Sequence, residues 1–411
     1  MFKARELRKM IDSAKRNPKV SDPEQFIKGE ITYLLTEGGA KPEDFSLQDL
    51  FVNLIDGGQE LCNDWARASK RGQQVTEGAG AVDTADFSRI TGQIVFSAVQ
   101  DSYKLETGIS DRLVTNFPSV FLGTELVPGI AATADQYADP IPEGFPYPLV
   151  GMSATDIRLP AAEKRGGIIP ITREAVIADR TGKVLQEAGT VGQGMGINKE
   201  KRILDVFIGA VNPYEFKGET RNTYSNAAMG FDNLSTEILT DFTDIRILTE
   251  LFYAMSDPSI NEPLDVAPTT IVCGNELAWQ VRSVIRNVQV RQGDITGAPF
   301  IQGINDGNRI PFDLDIIHNE FLIRQLILGH NADGVLASNT RALANAHWWF
   351  GNPKAAFVYK EIWSLTTEEA PMNNEEQFRS DIWHRVKVSE MGVPGVREPR
   401  AIIRSGGTVA T

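Results

Sequence analysis

The chain has 411 residues, 42% of them hydrophobic, with 41 Lys and Arg against 54 Asp and Glu and a net charge of −13. That is enough apolar material for two or three packed domains and too acidic for a surface that binds nucleic acid all over. No run of 18 apolar residues would span a bilayer, the charged first segment MFKARELRKMIDSAKR does not read as a signal peptide, and Cys62 and Cys273 are too few for a disulfide framework or a zinc ribbon, so a reducing compartment, the cytoplasm, is expected.

Taken in chain order, residues 3–16 place Leu7, Met10, Ile11 and Ala14 on one stripe and predict a basic amphipathic helix ending before Pro18. Asp22, Pro23 and Glu24 start a second helix, with Phe26, Ile27, Ile31, Leu34 and Leu35 on its apolar face. Ser46 and Asp49 have capping-box spacing before Leu50, Phe51, Leu54 and Ile55, a third helix that Gly57 and Gly58 stop. Residues 71–85, rich in Gly, Ala and small polar residues without a period, read as a linker or extended arm. From Phe87 to Tyr103 helical spacing returns, with Ile90, Ile94, Val95, Ala98 and Val99 as the apolar set.

Residues 138–151, ADPIPEGFPYPLVG, concentrate four prolines and two glycines between β-prone segments, which suits the apex of a long two-stranded ribbon returning through strands at 155–159 and 167–172. Prolines at such a tip prevent indiscriminate pairing of exposed ladder edges, and an extended ribbon needs a partner surface. Residues 182–209 predict one helix of about 42 Å at 1.5 Å per residue. Gly189, Gly192, Gly194 and Gly196 oppose it, and close packing against a neighbour is the expected compensation. Beyond Pro268 the pattern shifts to short alternating elements: a strand at 269–272, a helix at 276–288 and a strand at 312–317, an α+β lobe. Residues 355–368 and 381–404 alternate apolar with polar residues as one-sided strands do, and are expected to return to the first lobe.

Catalytic signatures are missing from the sequence. Gly192, Gly194 and Gly196 lack the third glycine of a dinucleotide fingerprint and no strand precedes them, and there is no GxxxxGK[ST], HExxH or GxSxG. His318, His330, His347 and His384 are too dispersed for a metal site, and Asp313 with Asp315, or Glu368 with Glu369, are pairs expected by chance in an acidic chain. Trp348, Trp349, Trp363 and Trp383 fall in or beside the late strands and are read as core. No catalytic, cofactor-binding or metal-binding residue is therefore assigned. Charge is segregated: the first nineteen residues hold seven Lys or Arg against Glu6 and Asp12, a local +5 that leaves −18 for the rest. Both a solvated helix face and a terminus facing nucleic acid or an acidic partner fit that pattern, although no aromatic residues interleave for base stacking.

The segments GFPYPLVGMSATDIRLPAAEKRGGIIPITREAVIADRTG (144–182), NKEKRILDVFIG (198–209) and FRSDIWHRVKVSEMGVPGVREPRAIIR (378–404), with DLFVNL near 49 and DFSRITGQIVFS near 86, resemble the major capsid proteins of tailed bacteriophages with the Hong Kong 97-type fold. The resemblance covers about residues 45–404. It implies an α+β capsid fold: an N-terminal helical region and arm (1–85), a peripheral domain (86–267) with an extended E-loop (135–172) and a spine helix (182–209), an axial domain (268–355), and returning peripheral strands with a C-terminal tail (356–411). It implies a structural protein without cofactors, self-associating into hexamers and pentamers of an icosahedral virion shell, assembled in the host cytoplasm around double-stranded DNA that it does not read by sequence. Scaffolding, portal and decoration proteins would be further partners, and no membrane is involved. The assembly-interface candidates are Pro142, Gly144, Pro146 and Pro148 at the ribbon apex and Lys164 and Arg165 on its returning strand, the two cations being expected to meet carboxylates of an adjacent subunit. An encapsulin-like nanocompartment shell and a cytoplasmic α+β enzyme of unknown activity are the alternative readings; the spine glycines are unusual for the capsid family, and no scaffolding segment with a cleavage site is identifiable.

Overall fold

A computed structural model of the chain describes residues 46–54, 59–60, 81–104, 108–118, 126–128, 156–172, 183–210, 214–216, 219–225, 232–255, 267–286, 314–327, 341–369 and 382–406, with the single positions 9, 13, 33, 143 and 175. The helices expected at 3–16 and from 23 onward lie outside the described residues apart from those single positions. In chain order the elements are α1 (Leu47–Leu54), α2 (Ala81–Tyr103), α3 (Ser110–Leu113), β1 (Thr115–Pro118), β2 (Leu126–Pro128), β3 (Asp156–Arg158), β4 (Glu163–Thr172), α4 (Lys183–Ile208), β5 (Tyr214–Phe216), β6 (Glu219–Arg221), α5 (Phe242–Ala254), β7 (Thr270–Cys273), α6 (Asn275–Arg286), β8 (Asp315–His318), α7 (Glu320–Ile327), α8 (Arg341–Ala346), β9 (Trp348–Gly351), α9 (Pro353–Ala356), β10 (Phe357–Glu369), β11 (Ile382–Val396), a 3-10 turn (Pro399–Ala401) and β12 (Ile402–Ser405). The chain is α+β, and it divides into two compact units: Met1–Glu106 with Lys164–Asn198 and Trp363–Met391, and Thr107–Glu163 with Lys199–Ile362 and Gly392–Thr411.

In the first unit, α1 starts where the capping spacing places it, with the Asp49 amide donating to Ser46 Oγ at 3.1 Å. Its buried Leu47, Leu50 and Phe51 face α2, which buries Ile94, Val95, Ala98 and Val99. Helix α2 begins at Ala81, inside the stretch expected as a linker. Residues 81–85 hold neither Gly nor Pro, and extending an existing helix by a residue fixes far fewer dihedrals per hydrogen bond than nucleating one.

Helix α4 follows its predicted range to within a residue at each end, and its glycines separate into two kinds. A Cβ on Gly192 would overlap the Val99 carbonyl oxygen, and one on Gly189 would lie 2.9 Å from Ser102 Oγ, so the backbones of α2 and α4 meet there. At Gly194 the expected packing does not hold among the described residues, where a Cβ would meet nothing within 4 Å. Gly192→Ala is therefore expected to destabilise the unit by about 1–3 kcal/mol through overpacking. Gly194→Ala should stabilise it by roughly 0.5–1 kcal/mol through helix propensity. Denaturant unfolding of both variants checks this; effects of the same sign would show that the two helices are not in backbone contact. Strand β4 is the end strand of its sheet, next to β11, with Ile169 and Ile171 buried and Lys164, Gly166, Ile168 and Pro170 exposed. Proline is tolerated at such an edge because no ladder partner needs its missing N–H.

The second unit is organised on the sheet β12-β9-β7-β8, whose strands alternate between two cores. Ile271, Cys273, Trp348, Phe350 and Ile403 face Leu239, α5 and α6. Val272, Ile317, Trp349 and Ile402 face the end of α4 and α7. Successive strand residues point to opposite faces, so covering both faces requires apolar residues at every position, as WWF at 348–350 supplies. Phe207 stands 5.1 Å from Trp349 and 5.3 Å from Phe357 between ring centroids. Strands β2-β3-β5-β6 form a smaller sheet, and β1 runs parallel to β10 with Thr115 opposite Val358.

The 381–404 segment is not one strand. β11 ends at Val396, Pro399 opens a 3-10 turn, and β12 pairs antiparallel with β9 in the other sheet. The run breaks after Val396, not at Pro394 within the strand, because the Arg397 and Glu398 amides both donate to the Ala356 carbonyl, at 2.8 and 3.1 Å, before Pro399 is reached. The strand expected from 355 begins at Phe357, because Ala355 and Ala356 close the short helix α9: Pro353 occupies its first turn and the Asn352 side chain accepts from the Ala355 amide at 3.2 Å.

Buried polar groups pin this core. The Glu200 carboxylate accepts from the Ile109 amide at 2.8 Å and the Ser110 amide at 3.2 Å, satisfying donors at the start of α3. The Arg404 guanidinium lies 5.0 Å over the Tyr224 ring and donates to the Ile208 carbonyl at 3.3 Å. His347 is 2% exposed. Burial and the charge of Arg404 pull its pKa down to about 4. An unfolded chain takes up this proton near pH 6.5 and the folded one does not, so stability is full above that pH and falls as pH drops toward 4, by up to the order of 3 kcal/mol. Unfolding of wild type and His347→Leu at pH 7.5 and 4.5 tests this; a variant as pH-sensitive as wild type would exclude His347 as the source.

Candidate functional site

Strand β4, helix α4 and strand β11 border an open cavity of about 460 Å³ within the first unit, lined by Lys164, Arg165, Gly166, Gly167, Val191, Gly194, Met195, Asn198 and Glu390. Its volume falls within the roughly 300–1,000 Å³ of ligand-sized pockets. Lys164, Gly166, Gly194 and Asn198 are exposed at the mouth, Val191 and Met195 are half-buried, and Glu390 is buried. Each element supplies what its geometry allows. On β4 adjacent residues point to opposite sides, so Lys164 is exposed while Arg165 is half-buried. On α4, Val191, Gly194, Met195 and Asn198 recur at three- and four-residue spacing and form one stripe. On β11, Gly166 meets the backbone of Val388 and Ser389 so closely that a Cβ there would collide with the Val388 carbonyl.

The lining residues include two cations, Lys164 and Arg165, on opposite faces of β4, and one carboxylate, Glu390. Glu390 accepts from the Tyr103 hydroxyl at 2.5 Å, a hydrogen bond that fixes the buried side chain. The Lys164 ammonium stands 5.9 Å from the centre of the Trp363 ring, within cation–π range. Lys387 donates to Glu368, and this hydrogen bond, with the charges of Lys387 and Lys164, holds the Glu368 carboxyl below its usual range.

Of the residues singled out in the sequence, Lys164 and Arg165 come together at this cavity. Pro142, Gly144, Pro146 and Pro148 lie outside the described residues; Glu143 between them is exposed. Sequence reading missed Asn198, Glu390 and Trp363 as companions of the two cations, and read Gly194 as a packing glycine. The open Cβ position at Gly194 among the described residues is what separates it from Gly189 and Gly192.

Elsewhere the chemistry is structural. Cys273 is buried in the sheet core, and burial pushes its thiol up to about 12, far from a reactive thiolate. Asp315 pairs with Arg112 at 2.6 Å on the surface, and His318 Nδ1 lies 2.9 Å from Asn275 Oδ1. Among the described residues no three His, Cys, Asp or Glu side chains converge as a metal site, and no helix is long and apolar enough to cross a membrane.

Comparison with curated proteins finds no match. Among solved structures the chain is similar to that of Gordonia phage Cozz (10% identity, TM-score 0.41, covering 82% of this chain and 97% of that one). It is also similar to the capsid of cyanophage Pam1 (11% identity, TM-score 0.41, 73% and 89%). A third similar structure is the capsid of an empty GTA particle (10% identity, TM-score 0.40, 82% and 95%). The family model described as phage capsid protein matches residues 157–405, more than half of the chain, which thereby belongs to the phage capsid protein family.

Proposed function

We propose that this capsid protein is the major shell subunit of a tailed-phage head, associating as hexamers and pentamers into an icosahedral shell around double-stranded DNA. The match of residues 157–405 to the phage capsid family carries the reading. In it, the ribbon tipped by Pro142, Gly144, Pro146 and Pro148 is an intersubunit clamp, 182–209 is the spine of a peripheral domain, 268–355 form the axial domain and 356–411 return to the periphery. The acidic remainder of the chain limits adhesion to packaged DNA, and the +5 N-terminus faces the shell interior, toward scaffold or genome. Portal and decoration proteins complete the virion. The role is mechanical: large interfaces repeated over many copies supply the assembly energy, with no catalytic step.

Negative-stain microscopy of the purified protein tests this. Closed hollow particles are expected, with nucleic acid inside those made during infection. Protein cargo instead of DNA would identify a nanocompartment shell, and a subunit that stays monomeric across salt and concentration would overturn the shell assignment.

A further inference from the structure

We infer that the seam between β9 and β12 is an acid-operated latch: a proton taken up by His347 beside Arg404 parts the two strands and frees the end of α4 before the unit as a whole unfolds. Whole-unit stability carries the cost of this proton; the geometry adds where the fold yields first. The inference is independent of the shell reading.

Strand register brings the two groups together. Arg404 lies opposite Trp349 across the seam. His347, two residues before Trp349, points to the same face of the sheet and is a diagonal neighbour of Arg404, at about 7–8 Å between backbones. The His347 and Trp349 rings stand 6.5 Å apart between centroids, and His347 and Arg404 are both buried. Arg404 is pinned while β12 stays docked. Its guanidinium donates to the Ile208 carbonyl at the end of α4 and lies over the Tyr224 ring, its amide donates to the Asn233 carbonyl at 3.0 Å, and its carbonyl accepts from the Ser235 amide at 2.8 Å. His347 is held as well, its amide donating to the Ala344 carbonyl at 3.2 Å. A proton on the imidazole sets a second buried cation near the first, and like charges repel far more strongly in a dry core than in water.

Among the described residues, the surroundings supply no counter-charge. The Tyr224 hydroxyl donates to the Phe207 carbonyl at 2.6 Å, and burial pushes its pKa up, so the phenol stays neutral. On α7 the buried polar residue is Gln325, which donates to the half-buried Asp205 of α4 at 3.4 Å. On α8, Ala344 and Ala346 adjoin His347, while the exposed Arg341 pairs with Glu276 and Glu320. The Ser405 backbone favours the proton but is outweighed by burial and by Arg404. Strand β12 is the element that can answer. It is four residues long and stands at the end of the order β12-β9-β7-β8, so its departure separates the charges and admits water to His347 while β9 keeps its pairing with β7. The same departure breaks the bond from Arg404 to Ile208.

Hydrogen exchange of the full chain at pH 7.5 and 4.5, read as protection factors corrected for the intrinsic rate, tests this. Protection of the β9 and β12 amides is expected to fall on the order of fiftyfold, as follows for a histidine moved from its ordinary range to about 4. At pH 4.5 the amides of Leu248 and Phe252 in α5 are expected to remain at least tenfold better protected than the seam. His347→Leu, or His347→Asn if the leucine variant does not fold, is expected to show no such fall at the seam. Wild-type seam protection that changes less than threefold overturns the inference, and so does a full fall in a folded His347 variant. Equal protection of the seam and α5 at pH 4.5 also overturns it, because the chain would then open only as a whole.

Discussion

Replacing Trp349 by alanine is expected to destabilise the second unit by about 3–5 kcal/mol, the cost of truncating a fully buried large aromatic. Its side chain is completely inaccessible, and its ring meets Phe207 at 5.1 Å and His347 at 6.5 Å between centroids. It projects from β9 into the core that holds Val272, Ile317, Leu322, Phe357 and Ile402, so the cavity left behind would touch several elements at once. For a unit of this size each kcal/mol lowers the midpoint by about 2–4 °C, which places the loss on the order of 10 °C. Trp349→Phe, which keeps an aromatic ring, should recover much of it. A loss below about 1 kcal/mol for the alanine variant would show that the core is arranged differently, since that is the scale of an ordinary point substitution.

Deleting residues 140–150 is expected to leave a folded subunit and to abolish closed particles. The larger apolar cluster of the second unit draws on 109–114, 157–159 and the chain from 203 onward, none of which the deletion removes. A Pro- and Gly-rich apex contributes little to a core and tolerates shortening, whereas a clamp contact is multiplied over every copy in a shell. Sedimentation separates the outcomes: subunits or small oligomers with an unchanged unfolding midpoint are expected, and wild-type particles from the deletion would remove the clamp.

Much of this protein was legible because local rules and tertiary packing agree. The helix at 182–209 was readable from Ile203, Leu204, Phe207 and Ile208 recurring on one face, and those residues are buried. The strand at 269–272 lies one residue from its observed bounds, because a run of apolar β-formers bounded by Pro268 and Gly274 has few other places to go. The tryptophans at 348 and 349 were readable as core, but not as members of two different cores, which depends on the strand being covered on both faces.

Composition and pattern by themselves determined the class of the molecule: an acidic α+β chain without catalytic signatures, with one long helix, late strands and a pair of cations at 164 and 165. Those properties are sums over residues or periodicities along a few turns, and they need no knowledge of what lies across the core. The tertiary structure alone decided that β12 leaves the course of β11 to pair with β9, that Gly189 and Gly192 serve packing while Gly194 does not, and that Glu390 and Asn198 join Lys164 and Arg165 at one cavity. Each of these joins residues far apart in the chain. Sheet register and close backbone approach are set by which surfaces meet after collapse, and a glycine has the same letter whether its missing Cβ faces a carbonyl or open space.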